Sequence, residues 1–368
     1  MKKRYIVLLF VVLLLFSLGI VAFVLGSTTH SNLKGTNTER LHTFMVQKTK
    51  ELDFNGTVLV VRDEEVLLSE GYGYADLDNQ VENSPDTIFN IASLSKSFTA
   101  VAILQLEEQG RLSIKDSITK YLADFPTRDD ITVHHLLTHT SGLPELLSLV
   151  EHSKTHSLEE LYEAVKNEEL EFEPGKKYAY SNSGYLLLAM IIEQQSGMSL
   201  AEYIQANILD PAGMEHTYFE QSPEVTALGY ENMGNISDLI DISIAYGAGN
   251  MLSTTGDLYL FDKAINEGQL LNQEQVEKMQ NGYVNAAPFG IVKYGYGWNV
   301  SDSWYSYNRK SVAHAGGFPG FKNFFLRFPE ENLTIVVLSN NQGKWSPSSL
   351  ALELASIIFE ERFWHIIN

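Results

Sequence analysis

Hydrophobic and polar positions along the chain change period several times, and each change marks an element. After a short helical pattern in LHTFMVQKTKEL, the segments GTVLVVR (Gly56–Arg62) and EVLLSEGYG (Glu65–Gly73) are β-rich. Only Asp63 and Glu64 separate them, so they read as a hairpin. Toward the other end, SVAHAGG, FKNFFLRFP and LTIVVLSN (Leu333–Asn340) read as three more strands, joined by Gly/Pro and Pro-Glu-Glu-Asn turns. A last helical pattern covers Ser348–Arg362. Between the two β regions the period is helical over Ser93–Gln109, Ser157–Asn167, Ser183–Ser196 and Leu200–Leu209, the first of these reading as an amphipathic helix. No internal repeat interrupts this order. Strands at both ends with helices between them predict an α+β fold. One antiparallel sheet is built from the N- and C-terminal segments (41–90 and 290–368) and flanked by helices, with an inserted, mainly helical region (91–289). A cleft between sheet and helical layer is the expected site.

The first residues follow a different pattern. Lys2, Lys3 and Arg4 precede an uncharged apolar run from Tyr5 to Leu25, about 31 Å long as a helix and enough to span a bilayer. A cleaved signal usually has an apolar core of about 7–15 residues and a small-x-small site after it, and neither is found here. Residues 1–26 therefore read as an uncleaved membrane anchor, with a removed signal segment as the alternative. The positive flank stays in the cytoplasm, which places the rest of the chain outside. Residues 27–40 read as a polar tether and 41–368 as the folded domain.

A length of 368 residues with 44% hydrophobic positions supports one large or two intimate domains with a sizeable core. The chain has no cysteine, which excludes disulfides, thiolate metal sites and a cysteine nucleophile. A formal net charge of −20 would repel phosphate backbones, so no nucleic acid partner is expected. His134, His135 and His139 in TVHHLLTHTSGLP look metal-like, but no acidic or further histidine cluster completes a site. They read as packing residues, with no metal and no cofactor expected. Ser141 reads as a turn residue.

The candidate chemistry begins at NIASLSKSFTAVAILQLEEQG, where Ser93 lies three residues before Lys96. On a helix that spacing puts both side chains on one face. The spacing alone discriminates poorly, since Ser31/Lys34 and Ser117/Lys120 share it. Only Ser93 opens a long helix, whose Phe98, Val101, Ala102, Leu104 and Leu106 would pack against a core. The helix start favours an oxyanion beside Ser93. Lys96 must be partly neutral to accept a proton, so burial or positive neighbours must pull it well below its ordinary value. Two further segments join it: Tyr180 and Asn182 stand just before a hydrophobic helix, and His314, Ala315, Gly316 and Gly317 end a strand.

The set SLSK, YSN and HAGG, in that order and context, resembles the serine β-lactamase and penicillin-binding protein superfamily. The resemblance is to its class C-like branch, which includes D-alanyl-D-alanine carboxypeptidases, D-aminopeptidases and esterases. EEQGRLSIKDSITKYLADFP, ITVHHLLTHTSGLP, GAGNMLSTTGDL and YGYGW extend the resemblance from about residue 40 to the end. It implies an acylated nucleophile at Ser93, with Lys96 and Tyr180 sharing the proton traffic. Asn182 would bond Lys96 and the substrate amide, and the N–H groups of Ser93 and Gly317 would form the oxyanion hole. Gly316 and His314 would complete the substrate-binding strand. The implied substrates are cell wall peptides or esters, with β-lactams as acylating ligands. A β-lactamase and a catalytically silent penicillin-binding sensor are the alternatives. His314 and Ala315 stand where many β-lactamases carry Lys-Thr, which argues against a dedicated β-lactamase. If His314 holds a carboxylate while titrating near its ordinary value of about 6.5, such substrates should gain as pH falls from about 8 to 6.

Overall fold

The apolar runs at the two ends of the chain meet in one eight-stranded antiparallel sheet. The computed structural model describes residues 27–28, 30, 32–126, 131–224, 226–232, 234–237 and 240–364. The strands are β1 (Gly56–Arg62), β2 (Glu65–Tyr72), β3 (Val284–Asn285), β4 (Lys293–Tyr294), β5 (Asn299–Ser301), β6 (Ser311–Phe318), β7 (Phe321–Phe328) and β8 (Leu333–Ser339). Their order across the sheet is β3-β4-β5-β6-β7-β8-β1-β2. The N-terminal hairpin thus closes on the last strand, with Gly56 opposite Ser339 and Arg62 opposite Leu333. The first returning strand lies at Val284–Asn285, ahead of the expected boundary at 290.

Helices cover both faces of this sheet, which explains why β1 and β8 read as continuous apolar runs without alternation. On one face, Val58, Val60, Ile335 and Val337 pack with α1 (Asn37–Leu52) and with α9 (Pro347–Phe359). On the other, Leu59, Val61, Val336 and Leu338 enter a larger core with the helical layer. That layer contains α2 (Ser95–Glu108), α3 (Val133–Leu137), α4 (Leu158–Lys166), α5 (Asn182–Ser196), α6 (Leu200–Ile204), α7 (Thr255–Asn266) and α8 (Gln273–Met279). Starts are fixed by local chemistry, as where Ser157 and Glu160 form a capping box on α4 and Ser199 and Glu202 form one on α6.

α2 departs from expectation. Instead of showing one apolar stripe it is buried on every side from Ser95 to Leu106, including Lys96, Ser97 and Thr99. It is the central rod of the helical layer, packed against α5 and α8 within the core that the layer shares with the sheet.

Residues 27–40 also differ from the polar tether expected of them. Ser27–Thr28 pair with Phe363–Trp364, Leu33 is only 9% exposed in the α1/α9 core, and the His30 ring meets Phe44 edge-on at 5.0 Å. Thr36 and Glu39 form a capping box that starts α1 inside the expected tether. The polar composition hid a Thr-x-x-Glu start signal and one core leucine. The apolar run Tyr5–Leu25 lies outside the described residues, and among those described no helix is long and apolar enough to cross a membrane.

One buried ion pair ties the helical layer to the sheet. Asp262 on α7 meets Arg327 on β7 at 3% and 1% side-chain exposure, and Thr334 on β8 donates to the same carboxylate. Breaking such a pair from one side leaves a buried charge alone, at a typical cost of about 3–5 kcal/mol. Asp262→Ala should therefore lower the thermal unfolding midpoint sharply. The double variant Asp262→Leu/Arg327→Met should recover much of that loss in the same measurement, since it leaves no charge behind.

Candidate active site

The chain reaches Ser93 through a strained corner. The short strand Phe89–Asn90 pairs with Met251–Ser253, and Ala92 then takes φ +49°, a left-handed value that costs a non-glycine residue about 1–3 kcal/mol. Surrounding contacts hold it there. The Ala92 N–H donates to Asn90 Oδ1 at 2.8 Å, and the Ala92 carbonyl accepts from Ser95 Oγ at 2.7 Å. The Asn90 carbonyl in turn accepts from Asn323 of β7 at 2.9 Å. Ser93 occupies the single turn Ala92–Leu94 just before α2, so it precedes the helix rather than opening it. The corner leaves the serine half-buried at the wall of a pocket while its neighbours on both sides are buried.

Lys96 is the second residue of α2 and is fully buried. Its Nζ is 2.7 Å from Asn182 Oδ1, 2.8 Å from the Ala248 carbonyl and 3.2 Å from Ser93 Oγ. Burial pulls its pKa down to about 7, against a smaller upward pull from the Glu145 carboxylate. A neutral amine keeps two N–H donors, and the two short contacts are both to oxygens that can only accept. The lone pair is therefore directed at Ser93.

Tyr180 is 38% exposed as a residue, while its hydroxyl is buried beside Ser93. That burial holds the phenol well above its ordinary value, so Tyr180 is a proton donor at neutral pH and Lys96 is the base. The Tyr180 ring also lies 4.8 Å from Lys96 Nζ, and Tyr185 5.4 Å. Asn182 is the first residue of α5 and brings its amide 86 positions along the chain to Lys96.

β6 carries the third segment. Successive residues face opposite ways: His314 and Gly316 are buried, Ala315 and Gly317 exposed. At Gly316 a Cβ would stand 2.3 Å from the Ile91 carbonyl, so only glycine lets the strand approach the Ser93 corner. Gly317 has open space and lines the pocket with Ser93 and Asn182. The pocket encloses about 100 Å³, and its other walls include Leu147, Ile240, Ile244 and Phe318.

His314 corrects the expectation set for it. At 3% exposure its Nδ1 donates to the Ala315 carbonyl at 2.7 Å, and its Nε2 accepts from the Tyr294 hydroxyl at 3.0 Å. Both ring nitrogens are thus engaged in their neutral roles. Burial, with Lys96 nearby, pushes the pKa down to about 3, so the ring carries no charge for a substrate carboxylate between pH 6 and 8.

The remaining tempting residues sit in structural roles. His134 Nδ1 bonds the Tyr296 hydroxyl, His135 caps α3, and His139 Nδ1 accepts from the Ser181 N–H. Ser141 Oγ accepts from the Leu143 N–H, as a turn residue does. Three participants were not foreseen: the Ala248 carbonyl, Tyr294 and Glu145. Glu145 takes the Asn182 N–H at 2.7 Å and the Asn182 side-chain NH2 at 2.6 Å. The signal for it, a carboxylate directly after HTSGLP, carries no spacing rule that points to a residue 37 positions away.

Comparison with known proteins places this geometry. The Beta-lactamase family profile matches residues 44–357. The chain is 36% identical over 298 residues to the putative penicillin-binding protein PbpX of Bacillus subtilis (strain 168), covering 79% of this chain and 72% of that one. Its fold is similar to the octameric penicillin-binding protein homologue from Pyrococcus abyssi, with a TM-score of 0.77 and 29% identity over 89% of this chain and 78% of that one. A D-amino acid amidase from Ochrobactrum anthropi SV3 shares the fold at a TM-score of 0.77 and 22% identity, over 88% and 99% of the two chains.

If neutral Lys96 is the base, acylation should fall about tenfold per pH unit below its pKa of about 7 and level off above it. Stopped-flow acylation by a neutral nitrophenyl ester measures this limb directly. A carboxylate-bearing ester should show the same limb, without the gain toward pH 6 that a titrating His314 would give. Lys96→Ala should lower the plateau about 10²–10⁴-fold.

Proposed function

The chain belongs to the Beta-lactamase family of serine hydrolases, and from that premise we propose that it hydrolyses D-amino-acid amides or esters of the cell wall type through an acyl-enzyme on Ser93. The observation that carries this reading is the Lys96 hydrogen-bond set, which directs a lone pair at the Ser93 hydroxyl. As Ser93 Oγ bonds the substrate carbonyl carbon, its proton passes to Lys96 Nζ. The oxyanion gathers at the backbone N–H groups of Ser93 and Gly317. Tyr180 gives its phenolic proton to the departing amine or alcohol as the C–N or C–O bond breaks, and recovers one from Lys96. Water then attacks the ester, gives its proton to Lys96, and Ser93 leaves with that proton.

The pocket argues for the kind of substrate. Among the described residues its lining carries no lysine or arginine, and the one nearby amine, Lys96, is committed to Ser93. A free carboxylate on the leaving side therefore finds no fixed cation. Small apolar acyl groups fit the walls formed by Leu147, Ile240 and Ile244. Esters and amides without a free carboxylate rank above D-alanyl-D-alanine termini and β-lactams, and β-lactams act as slow acylating ligands. The apolar run Tyr5–Leu25, with Lys2, Lys3 and Arg4 before it, supports an anchor that holds the domain outside the membrane, close to such substrates.

A panel of D-aminoacyl amide, nitrophenyl ester, D-Ala-D-Ala peptide and nitrocefin, run on the wild type and Ser93→Ala, tests the chemistry. The ester and amide should lead, Ser93→Ala should be inactive, and a phosphonate probe should leave an adduct on Ser93 by mass spectrometry. Absence of any adduct favours a silent binding protein, and a nitrocefin kcat/KM above about 10⁶ M⁻¹s⁻¹ favours a β-lactamase. For location, protease added to intact cells should remove the domain. Protein in the medium lacking roughly its first 26 residues would indicate a cleaved signal instead.

A further inference from the structure

We propose that Glu145 is a positioning residue of the reaction: it clamps the Asn182 amide so that Oδ1, and not the NH2, faces Lys96. The proposal rests on the acyl-enzyme reading above for its kinetic meaning, but its geometry stands by itself. Glu145 is half-buried and holds Asn182 at two points, Oε2 on the backbone N–H at 2.7 Å and Oε1 on Nδ2 at 2.6 Å. A side-chain amide can rotate by half a turn at little steric cost, exchanging oxygen and nitrogen. Here that turn would bring Oδ1 against a carboxylate oxygen and the NH2 against the Lys96 amine. Both contacts would be lost at once.

The consequence for Lys96 follows from donor counting. With the Asn182 oxygen in place, the neutral amine spends its two N–H groups on Asn182 Oδ1 and the Ala248 carbonyl. With the amide reversed, only the Ala248 carbonyl accepts. One N–H then competes for Ser93 Oγ, and the lone pair loses its aim.

The clamp is built into the fold. Glu145 caps the turn Leu146–Ser148 by accepting from the Leu147 N–H, and it satisfies the first N–H of α5 where the N-cap Ser181 side chain does not. A carboxylate at the start of a fifteen-residue helix is further favoured by the helix dipole. The preceding Pro144 carbonyl accepts from both Ser181 and Ser183, which fastens the loop to the helix start on either side of Asn182. The same carboxylate opposes the downward pull of burial on Lys96, so it sets the amine's proton affinity as well as its geometry.

Glu145→Gln tests both effects, because it keeps the shape and one acceptor and removes the charge. Acylation by a neutral ester should lose about 10–100-fold at its plateau, from the misdirected base. Its acid limb should move down by about one pH unit, since loss of a negative neighbour disfavours the protonated amine. A variant that merely loosens the fold lowers the plateau and leaves the limb in place. In an Asn182→Ala background the plateau loss on adding Glu145→Gln should vanish, because the clamped amide is gone. Carbon-13 NMR titration of the Lys96 ε-carbon reads the same downward shift without substrate, so it tests Glu145 even if the wild type is never acylated. An unmoved limb together with an unmoved Lys96 titration would falsify the proposal. So would a full additional loss in the Asn182→Ala background, or a rise in KM with kcat unchanged, which would make Glu145 a direct substrate contact.

Discussion

The burial of one lysine is the constraint on which the rest of the structure turns. An amine on a surface helix stays charged at neutral pH and cannot take a proton from serine. Lys96 becomes a base only because α2 is enclosed on every side, in a core to which both the sheet and α5 contribute. The two-sided core has a chemical role as well as a packing one. It also dictates that the partners of Lys96 come from remote parts of the chain, Asn182 from 86 positions away and the Ala248 carbonyl from 152.

Local signals explain what could be read from the chain in advance. β1, β6, β7 and β8 were legible because β-rich runs are bounded there by Asp-Glu, Gly/Pro and Pro-Glu-Glu-Asn turns. The α4 start was legible at Ser157, where the capping serine stands beside a periodic run. Ser93, Lys96, Tyr180 and Asn182 stood out because each lies where an element begins, and the structure gathers them around the Ser93 hydroxyl and Lys96 amine. Other features depend on tertiary contacts that no period encodes. Glu145 looks like any loop carboxylate until α5 is laid beside it, and Ala248 contributes a carbonyl that every residue type possesses. α2 read as amphipathic because buried Lys96, Ser97 and Thr99 count as polar, although Ser97 bonds the Leu94 carbonyl and Thr99 the Gly247 carbonyl.

His314 shows how position in a motif and chemical role can part. Its place in the segment HAGG suggested a substrate-facing ring that titrates near its ordinary value. The pleat instead turns it inward, where Tyr294 supplies a donor for Nε2 and its own strand an acceptor for Nδ1. A charged lysine in that environment would have to be desolvated beside Lys96, two like charges in one interior. A neutral ring avoids this, and it leaves Lys96 free to titrate where the reaction needs it. Loss of the cation from the strand and preservation of a neutral base are therefore linked by the same electrostatics.

The site also concentrates what the fold would otherwise avoid. Ala92 holds a left-handed backbone, Lys96 is an amine without full solvation, and His139 Nε2 is buried with no hydrogen-bond partner among the described residues. Each is unfavourable by itself, and all three lie where α2, α5 and β6 converge. Such features persist only when the surroundings over-determine them. Here the surroundings are two apolar cores on opposite faces of one sheet, closed by β1 pairing with β8. The pairing of the chain's two ends therefore bears on the chemistry. β6 and β7 of that closed sheet border the Ala92–Leu94 turn, so the sheet holds the corner from which the nucleophile projects.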